Sequence, residues 1–238
     1  MKKVALMFSG GVDSTALAIG LAEEYERIHL LTYDNGYGTT RMNRSAARAQ
    51  ELNSLVAPKY EHALISIRPL FQRVLLDTLD RDYEQYESGF IWCMGCKLAM
   101  HGRTIALCLK HGIEHACDGS SGDTPEMVEQ MPLSLELVRG LYREYGIEFS
   151  NPAYDARRAD SDALLSSMGF KLGLPLMGRR LSSQPACRPG ELYYLPFLLL
   201  GQPPQHAEQT VRRFIEDKSQ IVRQLIAELT EDQADATR

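Results

Sequence analysis

Cysteine and tryptophan are scarce in this chain: five and one, respectively, among 238 residues. Few cysteines in an odd number exclude a disulfide-stapled scaffold. Long apolar runs are missing too. The longest, near Leu195 to Leu200, is far short of a membrane span. The N-terminal MKKVALMF run is interrupted by Ser9, Gly10 and Gly11 before any cleavage site, so no signal peptide is expected. We therefore expect a cytoplasmic protein with no membrane partner. Excess positive charge is also absent: 26 Lys and Arg against 31 Asp and Glu leave a net charge of -5. That balance argues against bulk, sequence-independent nucleic-acid binding. No repeat or low-complexity tract occurs. With 44% hydrophobic and 24% charged residues, the composition is that of an ordinary globular chain.

Short apolar runs alternate with amphipathic stretches through the first half. Residues 4–8, 28–33, 61–67 and 113–117 read as buried strands. Residues 14–24, 39–55, 69–79 and 97–111 read as the helices between them. This alternation predicts a Rossmann-like α/β fold, a parallel sheet covered on both faces. Beyond about Pro125 the pattern changes. Helices are expected over 133–145, 159–168 and 205–229, with an irregular Gly- and Pro-rich segment over 169–190 and a polar tail from Thr230. The expected organisation is an α/β domain over 1–150 and a mainly helical C-terminal extension over 151–238 carrying a Cys loop.

Ser9-Gly10-Gly11-Val12-Asp13-Ser14 joins the first strand to the first helix. Tandem glycines let backbone approach a ligand, and the helix start offers free N–H groups and a positive dipole end. Together these suit an anion such as phosphate. Ser9 and Ser14 add hydroxyl donors, and Asp13 is placed to orient the loop or help hold a metal ion. The loop is neither a Walker A motif nor G-x-G-x-x-G, which disfavours a dinucleotide site.

Cys93-Met94-Gly95-Cys96-Lys97 is a C-x-x-C read as lying directly before a helix, where thiol pKa values fall. Redox, zinc and iron–sulfur chemistry all fit such a pair. A thioredoxin site is disfavoured by its position, and zinc usually needs a second pair. Cys187 lies in the Gly- and Pro-rich segment. Cys108 and Cys117 read as packing residues.

FSGGVDS, from Phe8 to Ser14, resembles the PP-loop of the ATP pyrophosphatase superfamily, whose fold is of the adenine nucleotide alpha hydrolase type. The resemblance implies ATP and Mg²⁺, adenylation of a substrate oxygen and release of pyrophosphate. It places Ser9, Gly10, Gly11, Asp13 and Ser14 against the phosphates and Asp34, at the end of the second strand, near the adenosine. Gly119, Ser120 and Asp123 fall in a second Gly-rich loop that closes on the nucleotide. Asp13, Ser14 and Lys97 are the candidate catalytic residues, with Lys97 or Arg41 as a source of positive charge. C-x-x-C with a distant third cysteine resembles the iron–sulfur members, the tRNA 2-thiocytidine thiolases and LarE-type sulfur-insertion enzymes. It implies a [4Fe–4S] cluster on Cys93, Cys96 and Cys187, with an open iron that carries sulfur. The alternatives are a zinc-containing, QueC-like synthase that uses nitrogen, and a nucleotide-binding protein without turnover.

Weaker signals complete the expectation. Arg179, Arg180 and Arg188 flank the Cys187 loop and suit a substrate phosphate or carboxylate. Arg157-Arg158 is a further basic pair, and Arg212 and Arg213 read as solvated surface. Tyr83, Tyr86, Phe90 and Trp92 suit ring stacking or packing. The six histidines show no ligand spacing and are expected at the surface. The implied partners are a small-molecule or nucleobase substrate and a sulfur donor. A tRNA is compatible but disfavoured by charge, and a homodimer is left open.

Overall fold

The computed structural model describes residues 1–124, 127–171, 175–176, 179–180, 185–200 and 204–235. The chain runs β1 (Lys3–Met7), α1 (Val12–Glu24), β2 (Arg27–Asp34), β3 (Thr39–Thr40), α2 (Asn43–Leu55), β4 (Tyr60–Ser66), α3 (Arg68–Val74), α4 (Leu79–Tyr86) and α5 (Phe90–His111). It continues with β5 (His115–Asp118), α6 (Pro132–Arg143), β6 (Glu148–Ser150), α7 (Arg158–Ser167), β7 (Pro175–Leu176), β8 (Arg179–Arg180), β9 (Ala186–Cys187), α8 (Arg188–Leu200) and α9 (Glu208–Asp235). Five strands form a parallel sheet in the order β4-β2-β1-β5-β6.

The apolar character of β1 and β2 follows from burial on both faces. Successive side chains of a strand point to opposite sides. Val4 and Leu6 of β1 therefore join Ile28 and Leu30 of β2 in a core with α1, α2 and α7. Ala5 and Met7 join Leu31 and Tyr33 in a second core with α3, α5, α6 and α9. The architecture is the expected Rossmann-like sheet with a helical C-terminal extension, and α9 packs along α5.

Several local expectations change. Helix α1 starts at Val12, which brings Asp13 and Ser14 into its first turn. Thr39 and Thr40 are not helical: they pair antiparallel with Cys187 and Ala186. The stretch expected as one helix over 69–79 divides into α3, a 3₁₀ turn (Leu76–Thr78) and the start of α4. Strand β6 and helix α8 were not anticipated. Helix α9 continues past Thr230 to Asp235, so part of the expected polar tail is helical. Residues 172–174, 177–178 and 181–184 of the irregular segment lie outside the described residues. No helix among the described residues is long and apolar enough to cross a membrane.

Candidate nucleotide site and adjoining cavity

Strand order reverses about β1: the chain goes from β1 to β2 on one side and later returns to β5 on the other. Crevices at such switch points, outside the carboxyl ends of the strands, are where open α/β sheets bind ligands. The loop after β1 and the loop after β5 meet there.

Gly10 has a φ of +71°, and a Cβ there would lie 3.1 Å from Ser45 Cα. Glycine is thus required both for the left-handed turn and for the close approach of α2. The Gly11 N–H donates to Ser9 Oγ at 3.2 Å, and the Ser9 and Ser14 hydroxyls lie 3.1 Å apart. The Gly11 N-cap offers α1 no side-chain cap, and an uncapped helix start suits an anion. Gly119 packs on the same turn: a Cβ there would lie 3.0 Å from Ser14 N.

Asp13 faces Arg158, the first residue of α7, at 2.5 Å. Burial pushes the Asp13 carboxyl up, and Arg158 opposes that rise. The Arg158 backbone N–H donates to Asp123 at 3.1 Å, joining α7 to the second loop. Asp34 shapes its own turn, accepting from the Gly36 N–H at 2.8 Å and from the Thr39 hydroxyl. Ser120 is buried, and its N–H donates to Asp118 at 3.0 Å.

Lys97 reaches across to Asp118 at 2.6 Å. Burial alone would push the Asp118 carboxyl up. The Lys97 ammonium, His101 and the hydrogen bonds outweigh it and hold the group well below the usual carboxylate range. Asn151, at the end of β6, donates to Asp118 at 2.7 Å and is itself gripped by Arg139 at 2.7 Å.

Beside this crevice lies a cavity of about 1090 Å³. Its walls include Arg41, Trp92, Lys97, Met100, Glu129, Arg188 and Tyr194, together with Cys93, Cys96 and Cys187. Burial pushes Glu129 up, and the Tyr194 hydroxyl donates to it at 3.3 Å. The side chains of Arg179 and Arg180 lie outside what the structure describes.

The cysteines require the main correction. The C-x-x-C does not precede a helix but lies in the first turns of α5, with Cys96 buried and Cys93 half-buried. Burial pushes the Cys93 thiol well up, Cys96 up to about 12, and Cys187 up, opposite to the lowering expected at a helix start. Cys93 and Cys187 Sγ both lie against Gly190, where a Cβ would sit 3.5 and 3.7 Å away. Cys96 Sγ is engaged by Asn35 Nδ2 at 3.3 Å. Among the described residues, no group of three or more His, Cys, Asp or Glu side chains is placed to hold a metal ion. This overturns the [4Fe–4S] cluster on Cys93, Cys96 and Cys187, sulfur transfer through it, and the zinc alternative.

Other placements differ from expectation. His101, expected at the surface, is fully buried. Tyr86 and Phe90 are core, Trp92 lines the cavity and Tyr83 is exposed. Cys108 and Cys117 are buried in the core. Glu129, Asn151 and Tyr194 were not singled out from the sequence, and Arg158 only as half of the Arg157-Arg158 basic pair. Asn151-Pro152 after an alternating Ile-Glu-Phe stretch is the turn signal that would have marked the end of β6.

A glycine-rich loop at the switch point of an open parallel α/β sheet is the kind of place where such folds bind ligands. No family model matches the chain. A 4-thiouridine synthetase, solved with RNA and bound ATP, is similar, with a TM-score of 0.57 and 12% identity over 97% of this chain. This chain spans only 53% of that protein, and the likeness is one of fold. Two looser superpositions are U34-tRNA thiolase NcsA from Methanococcus maripaludis with its [4Fe–4S] cluster and a predicted subunit of tRNA methyltransferase from Methanocaldococcus jannaschii. The first has a TM-score of 0.46 and 16% identity over 93% of this chain and 72% of that one. The second has 0.45 and 18% over 70% and 76%.

Proposed function

We propose that this chain is an ATP pyrophosphatase of the PP-loop type, which binds ATP over the Ser9–Ser14 loop and cleaves it between the α- and β-phosphates. The observation that carries the reading is the meeting of Gly119 and Ser14, which leaves two glycine-containing loops and an uncapped helix start facing one crevice. Backbone donors fixed in that way stabilise charge on a leaving pyrophosphate without reorganising. The acceptor, a small molecule or a nucleobase, occupies the adjoining cavity. Its oxygen attacks the α-phosphorus, AMP becomes attached to that oxygen, and pyrophosphate leaves. Lys97 lines the cavity and is bound to Asp118 beside the second loop, so it stands between the two compartments. Sulfur as the atom then delivered is the finer reading: sulfide from a separate donor attacks the adenylated carbon, the C–S bond forms, the C–O bond breaks and AMP leaves, in the cavity that Cys93 and Cys187 line.

Incubation with ATP and free or oligomeric nucleotide acceptors tests the proposal. It expects one pyrophosphate for each AMP moiety, whether that is attached to the acceptor or released from it, and no ADP. ADP with inorganic phosphate contradicts it. Nucleotide binding without pyrophosphate release would favour a regulatory protein that does not turn over.

A further inference from the structure

Arg158 occupies an unusual position. Its backbone N–H is fixed to Asp123 Oδ2 at 3.1 Å, and the Gly122 N–H donates to Tyr154 O at 2.8 Å, so the start of α7 is tied to the second loop. Its guanidinium extends in the other direction, to Asp13 Oδ2 at 2.5 Å in the first turn of α1, with Asp162 Oδ2 at 3.9 Å behind it. The residue therefore bridges both loops of the crevice. Its side chain is 48% exposed, so its contact with Asp13 adds little to stability. The start of α1 favours anions, and Asp13 supplies the anion found there. Lys97, on the opposite face of the sheet, is already committed to Asp118.

We propose that Arg158 grips the β- and γ-phosphates of bound ATP, and the pyrophosphate after cleavage, and that Asp13 is the anion it releases to do so. The guanidinium fork matches two phosphate oxygens at once and exchanges one carboxylate for a more highly charged partner. The backbone bond to Asp123 keeps the residue in place while the side chain turns. The inference rests on the ATP reading above and adds to it a residue specific for the polyphosphate.

Calorimetric titration of the full chain with MgATP, pyrophosphate and AMP tests it, because AMP lacks the β- and γ-phosphates. Arg158→Ala is expected to weaken ATP and pyrophosphate at least about tenfold and AMP by less than about twofold. Arg158→Lys, which keeps the charge without the fork, is expected to fall between. Should the alanine variant misfold, Arg158→Gln and Arg158→Lys carry the same comparison. Unchanged ATP affinity, or ATP and AMP weakening by one common factor, overturns the proposal. A wild-type chain that binds AMP but gains nothing from the two further phosphates also overturns it and leaves a nucleotide site standing. A wild-type chain that binds neither overturns the ATP reading as well.

Discussion

Lys97 on α5 and Asp118 at the end of β5 form an ion pair of 2.6 Å in which the carboxylate is almost wholly buried. The same carboxylate fixes the Ser120 N–H and the Asn151 amide, so one buried charge organises the second loop and the end of β6. Lys97→Ala leaves that charge unpaired and is expected to cost about 3–5 kcal/mol in denaturant unfolding. Asp118→Asn in the same background should recover part of the loss. Because the Asp118 pKa is depressed on folding, its contribution is present above the ordinary carboxylate range and is lost as pH falls through and below it.

Gly119→Val tests the contact between the loops. The added Cβ would meet Ser14 N at 3.0 Å, and backbone cannot yield as a flexible side chain does. We expect about 1–3 kcal/mol of lost stability from the overpacking. Loss of ATP affinity should exceed that of Gly20→Ala, a helical position where no atom lies within 4 Å. Calorimetry and thermal melting of both variants check this.

His101 makes a pH-dependent contribution. Burial, then Lys97, lowers its pKa from 6.5 to about 3, with Asp118 opposing. The folded state therefore resists a proton that the unfolded chain accepts. Stability is full above about 6.5 and falls as pH drops toward about 3. His101→Gln should flatten the stability profile in that window relative to wild type, whatever its effect at neutral pH.

Lys218 of α9 and Asp82 of α4 form a second buried pair, joined by the Thr78 hydroxyl, which the Lys218 ammonium reaches at 2.7 Å. Asp82→Ala strands a buried ammonium and should cost about 3–5 kcal/mol. Replacing both residues with apolar side chains of similar volume should cost much less. Equilibrium unfolding of the single and double variants measures the difference.

The loop at Ser9–Ser14 and the sheet were legible because each leaves a local signature: tandem glycines after an apolar run, and strands alternating with helices. The start of α5 was not. Gly95 breaks the helical pattern in the sequence, yet in the fold it admits Leu75, whose Cβ would lie 3.2 Å from an added Cβ. Placing the C-x-x-C before the helix then led to lowered thiol pKa values, where burial raises them. Asn35, which engages Cys96, comes from a turn 61 residues earlier, a pairing that no local pattern records. Arg158 stood out only as half of a basic pair, because its significance lies in contacts with Asp13 and Asp123 far back in the chain. β6 has three residues, too few to display a period.

Amide hydrogen exchange read by mass spectrometry, with and without ATP, tests the central claim most directly. Saturation at 100 times the dissociation constant should add about 2.7 kcal/mol of stability overall. The account predicts the strongest local protection at residues 10–15, at 119–123 and at the start of α7. Protection located elsewhere, or none at these three segments under ATP saturation, would contradict it.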